Sequence, residues 1–313
     1  AEIIQSMWVG PKLSAMEQMC MKSYLQNGHE FHLYVYQDTE GIPEGVVVLD
    51  ANRILPSSKI FTYEGAGFGH KSYAGFSDMF RYRLLLEKGN WWVDADSICI
   101  KPFDFNTEFV FSSELPAVGH PRCSNINCGN LKAPAESKFY EWLCDQAVRE
   151  FNPQMKWGTI GPALMKRAVH QFKLESCVQD PDVFCPVPYD WYCRNMLEKR
   201  VWEFGDGSRA IHLWNEAWRA QGLDKDAIYD SDCLYENLKK KYGIIAMGSV
   251  AVYPLNVKPP SAVLNPVLPP SDGGSTKCNR HNIIGCHVCI THGWPFRDAA
   301  GNPGGELIFA PRK

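Results

Sequence analysis

Apolar residues fall in short runs and helical stripes along most of the chain. Residues 3–9 (IIQSMWV) read as a strand, broken by Gly10-Pro11. Residues 14–26 place Met16, Met19, Cys20 and Tyr24 at helical spacing behind Ser14, an N-cap type, and Asn27-Gly28 stops the helix. Residues 31–36 (FHLYVY) and 46–50 (VVVLD) give two more strands. Strand, helix, strand is the signature of a βαβ unit with a right-handed crossover. A glycine- and aromatic-rich loop (61–71, FTYEGAGFGHK) precedes a helix that runs through YAGFSDMFRYRLLLEKG to Gly89. WWVDADSICI then reads as a strand that breaks at acidic residues and resumes. Short strands are predicted at 109–112 and 117–118, and amphipathic helices at 136–151, from Pro162 through GPALMKRAVHQF, and at 231–242. Past residue 254 the proline-rich PLNVKPPSAVLNPVLPPSDGG loses all period and reads as a surface-packed extension or a linker. The predicted fold is α/β: a Rossmann-like, open, mostly parallel sheet flanked by helices over residues 1–253, with a C-terminal extension at 254–313.

Composition narrows the classes. Of 313 residues, 45% are hydrophobic, and 32 basic against 35 acidic side chains leave −3. That excludes a disordered or fibrous chain and gives no electrostatic case for nucleic acid. No apolar run approaches the roughly 18 residues of a membrane span. The opening AEIIQSMWVG lacks the basic start and apolar core of a signal peptide. The expected location is the cytoplasm, with peripheral membrane association and a leader or anchor cut away beforehand left open. The 12 cysteines are irregularly spaced in a chain too long to need a disulfide framework. They read as buried free thiols of a reducing compartment, with a Cys123–Cys128 pair in a surface loop as the alternative.

The sharpest chemical feature is Trp91-Trp92-Val93-Asp94-Ala95-Asp96. In extended geometry residues two apart point to one side, so Asp94 and Asp96 are expected to face one point beyond the strand end. Ligands of open α/β sheets bind there. Two hard oxygen ligands suit Mg²⁺ or Mn²⁺ shared with phosphates. The bland alternative is a solvated turn. On the preceding helix Asp78 and Arg81 share a face at i, i+3. They read either as a surface ion pair or as a carboxylate for sugar hydroxyls beside a guanidinium fork for hydroxyl or phosphate oxygens.

The stretch FSDMFRYRLLLEKGNWWVDADSICIKPF resembles the D-x-D region of glycosyltransferase family 32, through Ser77, Asp78, Arg81, Leu85, Gly89, Asp94, Asp96, Pro102 and Phe103. It departs from the family pattern at Asn90 and Trp92. IIQSMWVG is similar to the family's opening strand, GTIGPALM to its T-G-P turn, and AIHLWN to its C-terminal H-x-x-N element. The resemblance spans roughly residues 3–245 and implies the GT-A fold. It further implies a metal-dependent hexosyltransferase that moves a sugar, with retention, from a nucleotide-sugar donor to a saccharide or lipid-linked glycan acceptor. UDP-sugar is favoured as donor, GDP-sugar is the second choice, and polysaccharide biosynthesis is the expected setting. In those terms Asp96 holds Mn²⁺ (or Mg²⁺), with His212 as the first choice and Asn215 as the second for a further metal contact. Asp94 reaches ribose or sugar hydroxyls. Trp8 stacks on the base, against the alternative of a core aromatic, and Asp78, Arg81, Gly161 and Asn215 line the donor. Asn127, in SNINCGN, stands near the donor–acceptor junction. The aromatic loop at 61–73 and YDWYC at 189–193 are candidate sugar-stacking surfaces. If the enzyme inverts instead, Asp180 and Asp182 are the candidate bases.

Competing readings are a family 8-like galactosyl- or glucosyltransferase, a nucleotidyltransferase or phosphatase using the same two aspartates, and a non-catalytic carbohydrate-binding protein. Outside the resemblance, Cys278-Asn-Arg-His281 and Cys286-His-Val-Cys289 carry the ligand types and count of a structural Zn²⁺ site. A disulfide or thiols that merely pack are the alternatives there.

Overall fold

In the computed structural model, which describes residues 2–115, 125–245 and 248–251, the chain opens with β1 (Ile3–Trp8), α1 (Ala15–Gln26) and β2 (Glu30–Val35). The predicted strand at 117–118, Cys123, the extension at 254–313 and the Cys278–His281–Cys286–Cys289 group lie outside the described residues. Ser14 caps α1 with a full capping box: its side chain accepts from the Met16 amide, and its own amide donates to Glu17 at 2.8 Å. After β3 (Val47–Asp50) come α2 (Ala74–Lys88), β4 (Asn90–Val93), β5 (Ser97–Cys99), β6 (Val110–Glu114) and β7 (Asn125–Ala133). Helices α3 (Lys138–Glu150), α4 (Pro162–Gln171), α5 (Pro181–Phe184) and α6 (Arg194–Leu197) follow, then β8 (Ala210–His212), α7 (Asn215–Gln221) and α8 (Leu234–Lys241).

Six strands form the main sheet in the order β3-β2-β1-β4-β7-β6. β1 pairs parallel with β2 and β4, and β2 with β3, while β7 is antiparallel to both β4 and β6. Only β7 therefore runs against the rest, and the sheet is mostly parallel, as predicted.

Both faces of the sheet's centre are buried, as parallel strands require, while the edge strand β3 stays largely exposed. Along β4 the alternation sends Trp91 into one cluster with Met16, Tyr24 and Phe103, and Trp92 into the other with Phe80, Leu84 and Leu131. Helix α1 covers the first face, and α2, α3 and α4 cover the second. Burial of each such large apolar side chain contributes about 1.5–3 kcal/mol.

Two features depart from the sequence reading. SNINCGN lacks the alternation of a strand, yet 125–133 forms a long one, with Trp92 opposite Leu131 and Val93 opposite Asn130. The segment after Asp96 does not resume the main sheet. β5 pairs antiparallel with β8 in a separate two-stranded sheet, which sets Ser97 opposite His212. The eight described cysteines are free thiols, six of them buried. No described helix is long and apolar enough to cross a membrane.

Candidate active site

The carboxyl end of β4 is where the chain turns out of the sheet. The Asp94 amide donates to the Gly129 carbonyl of β7 at 2.8 Å, and the Ser97 amide donates back to the Asp94 carbonyl at 3.0 Å. Residues 94–97 are thus a tight turn rather than the extended run expected from sequence. The turn is needed because β5 must leave β4 to reach β8. It still brings the two carboxylates together. Asp94, Asp96 and His212 each offer a ligand atom, and these atoms all lie within 4.8 Å of one another.

Arg81 and Asp78 flank this group from α2 and are buried, not a surface pair. The Arg81 side chain is 5% exposed and that of Asp78 is 6%. Arg81 Nη2 lies 3.1 Å from Asp94 Oδ1 and donates to Ser77 Oγ at 2.8 Å. Nη1 donates to the Cys128 carbonyl at 2.6 Å and faces Asp78 Oδ1 at 3.6 Å, while Nε donates to the Ser77 carbonyl at 3.2 Å. The guanidinium also lies 5.0 Å from the Trp92 ring centroid, and the Trp92 indole donates to Asp94 Oδ1 at 2.9 Å. The sequence assigns Arg81's fork to the donor. In the structure the fork is occupied by protein groups, and its direct effect is to orient Asp94. Ser77, matched only as part of a motif, accepts twice from the same guanidinium.

Asp78 stands against Gly161, the residue that caps α4. A Cβ there would lie 2.3 Å from Asp78 Oδ2, so only glycine permits the approach. Burial pushes the Asp78 carboxyl up to about 7, with Asp94 adding to the rise and Arg81 opposing it.

Asp96 is held from the β8 side. His212 Nε2 lies 3.2 Å from its Oδ1, the Asn215 amide donates to Oδ2 at 2.7 Å, and the Leu213 amide donates to its carbonyl at 2.9 Å. Burial acts against its ionisation, but His212 and the Asn215 amide outweigh it and keep the carboxyl below the usual range. Burial also opposes protonation of His212, and Asp96 overrides it and draws that pKa up. Asp94 moves the other way. Burial raises it against the pull of Arg81, and Asp96 adds to the rise. Two neighbouring carboxylates pushed apart in this way suit different tasks.

The remaining predicted residues are placed as follows. Asn127 Nδ2 donates to Glu114 at 2.6 Å and lies 3.5 Å from His212 Nδ1, so Asn127 does border the group. The Asn215 side-chain oxygen accepts from Lys225 at 3.0 Å, so this residue reaches Asp96 through its backbone. Trp8 ends β1 at the same rim of the sheet, with its indole donating to the Lys12 carbonyl at 3.1 Å and the Lys225 ammonium 5.5 Å from its ring. Asp180 and Asp182 sit at the start of α5 and are not among the three residues whose ligand atoms converge. Tyr189 packs on Trp214 at 5.6 Å, and Trp214 on His212 at 4.2 Å. Phe68, from the aromatic loop, meets Trp157 at 4.9 Å and Trp191 at 5.6 Å, so the two predicted aromatic segments touch.

Sequence reasoning missed Glu114 and Gly129. Neither carries a local signal, since each matters through partners on another strand. A Cβ on Gly129 would lie 2.7 Å from Asn127 Oδ1 and 3.4 Å from both Asp94 Oδ2 and His212 Cε1.

No family model matches the chain, and no curated protein matches it. Among solved structures it is similar to the PaToxG glycosyltransferase, at 14% identity and a TM-score of 0.40 over 56% of this chain and 71% of that one. It is similar to the galactosyltransferase LgtC in complex with donor and acceptor sugar analogues, at 10% identity and 0.37, over 57% of this chain and 74% of that one. The apo-form glycosyltransferase GlyE of Streptococcus pneumoniae TIGR4 is similar at 15% identity and 0.35, over 58% of this chain and 45% of that one.

Proposed function

We propose that this chain is a metal-dependent glycosyltransferase of the GT-A type. It moves a sugar from a nucleotide-sugar donor, UDP-sugar before GDP-sugar, to a saccharide or glycan acceptor with retention of configuration. The observation that carries the reading is the convergence of Asp94, Asp96 and His212 at the carboxyl end of the central strand β4. A site of two carboxylates and an imidazole fits a divalent cation such as Mn²⁺ or Mg²⁺ by its donor chemistry. When bound, the cation supplies charge neutralisation for a departing diphosphate without proton transfer.

The chain's own residues divide the remaining work. Asp96, ionised and fixed by Asn215 and His212, is the principal cation ligand. Asp94, aimed by Arg81 and Trp92, accepts from ribose or sugar hydroxyls. Asp78 has a carboxyl that is half protonated near neutrality, and it can donate to or accept from a sugar hydroxyl beside Gly161. Trp8 and Lys225 stand at the same rim, where the nucleoside belongs.

The test is calorimetry and thermal shift with a panel of nucleotide sugars, with and without Mn²⁺, followed by donor hydrolysis. One nucleotide sugar should stabilise the chain only with the cation. Asp96→Asn should remove that dependence and reduce hydrolysis at least ~10²-fold, with an unchanged circular dichroism spectrum. Full activity in Asp96→Asn, or equal binding of free sugars without nucleotide, would refute the reading.

A further inference from the structure

His212 has two ring nitrogens in opposite surroundings. Nε2 faces an acceptor, Asp96 Oδ1, at 3.2 Å. Nδ1 faces Asn127 Nδ2 at 3.5 Å and the Cys185 thiol at 3.9 Å. Which atom of Asn127 points at the ring is fixed by its other partners. Its Oδ1 accepts the Gly129 amide at 2.6 Å and Ser112 Oγ at 3.2 Å. Its Nδ2 donates to Glu114 Oε2 at 2.6 Å. Turning the amide over would set N–H against N–H at Gly129 and oxygen against oxygen at Glu114. Asn127 therefore presents a donor to Nδ1.

A neutral imidazole carries one proton, and a nitrogen that binds a metal must be the bare one. Ligation through Nε2 needs the proton on Nδ1, where it meets the Asn127 donor and only a weakly accepting sulfur. The surroundings suit the opposite tautomer, with Nε2–H donated to Asp96.

We propose that Glu114 and Asn127 are a positioning pair that sets cation affinity by opposing the ligating tautomer of His212. The proposal rests on the reading of Asp94, Asp96 and His212 as a cation site. Glu114 acts at one remove, by locking the amide, and neither residue touches the cation.

The polarity of the pair can be inverted at constant charge with Glu114→Gln combined with Asn127→Asp. The new carboxylate then accepts from residue 114, from the Gly129 amide and from His212 Nδ1. In ¹⁵N-histidine spectra recorded above the pH at which the His212 signals stop moving, so that the ring is neutral, and assigned by difference with His212→Gln, the wild-type ring should carry its proton on Nε2 and the inverted chain on Nδ1. Electron paramagnetic resonance of Mn²⁺ should show about 10-fold tighter binding in the inverted chain, the lower end of what such outer partners deliver. A gain from charge placement alone would leave the proton on Nε2, and that result overturns the proposal. So does a wild-type neutral ring protonated on Nδ1, or an inverted chain that binds Mn²⁺ no tighter. If wild type and Asp96→Asn bind Mn²⁺ alike, the cation reading itself falls, and the nitrogen spectra still decide the role of the pair.

Discussion

Removing the Arg81 guanidinium is the severest single test of how the site is held. Arg81→Met keeps most of the side chain's length and its packing on Trp92 while deleting every donor. Asp78 then loses its cation at 3.6 Å and Asp94 at 3.1 Å, and the Cys128 carbonyl loses a 2.6 Å bond. Breaking a buried ion pair by removing one partner costs about 3–5 kcal/mol. An orphaned buried carbonyl adds about 1–3 kcal/mol. Asp94 is 24% exposed, and water reaching it reduces the first figure. The expected loss at pH 8 is about 4 kcal/mol, read from urea unfolding followed by tryptophan fluorescence, or roughly 8–16 °C in Tm. Acid should soften the effect. Asp78 titrates at about 7 in the folded chain, so at pH 5 it is neutral and loses little when the cation goes. The loss at pH 5 should be smaller by ~1–2 kcal/mol. Arg81→Lys keeps the charge but not the fork, and should fall about midway. A loss below about 1 kcal/mol at pH 8, or equal losses at both pH values, would show that Arg81 does not hold the two carboxylates.

Asp78 also gives a pH dependence of its own. Its folded pKa of about 7 lies above the ordinary 3.8, so its contribution is full below about pH 4 and is lost as pH rises through 7. Wild-type stability should therefore decline between pH 4 and 8, by at most ~4 kcal/mol, and Asp78→Asn should flatten that slope; parallel curves would rule the assignment out. Gly161→Ala drives a methyl to 2.3 Å from Asp78 Oδ2 and should cost about 1–3 kcal/mol in urea unfolding. Gly129→Ala sets a methyl 2.7 Å from Asn127 Oδ1. It should weaken Mn²⁺ binding by calorimetry more than it lowers Tm, and unaltered Mn²⁺ affinity would contradict the close approach of Asp94, Asn127 and His212.

Much of this was legible along the chain because it depends on neighbours in sequence. The N-cap at Ser14, the stop at Gly89 and the helix opened by Pro162 follow from local backbone chemistry. The parallel pairing of β1 and β2 follows from the strand–helix–strand rhythm, whereas β3 joins the sheet parallel to β2 with no helix between them. The carboxylates of Asp94 and Asp96 were visible as a pair at a strand end, although by a turn and not by the two-residue period. What the sequence could not decide was which groups those carboxylates meet. The register of β7 against β4, and of β8 against β5, brings Gly129, Asn127 and His212 to the same point from 30 to more than 100 residues away. A strand shifted by one residue would turn each of these side chains to the other face. The contacts of Arg81 arise in the same way. Its charge was plain in the sequence, but only packing brought its guanidinium to Ser77, Cys128 and Asp94. Residue types set what each group can do, and long-range register sets which partner it does it with.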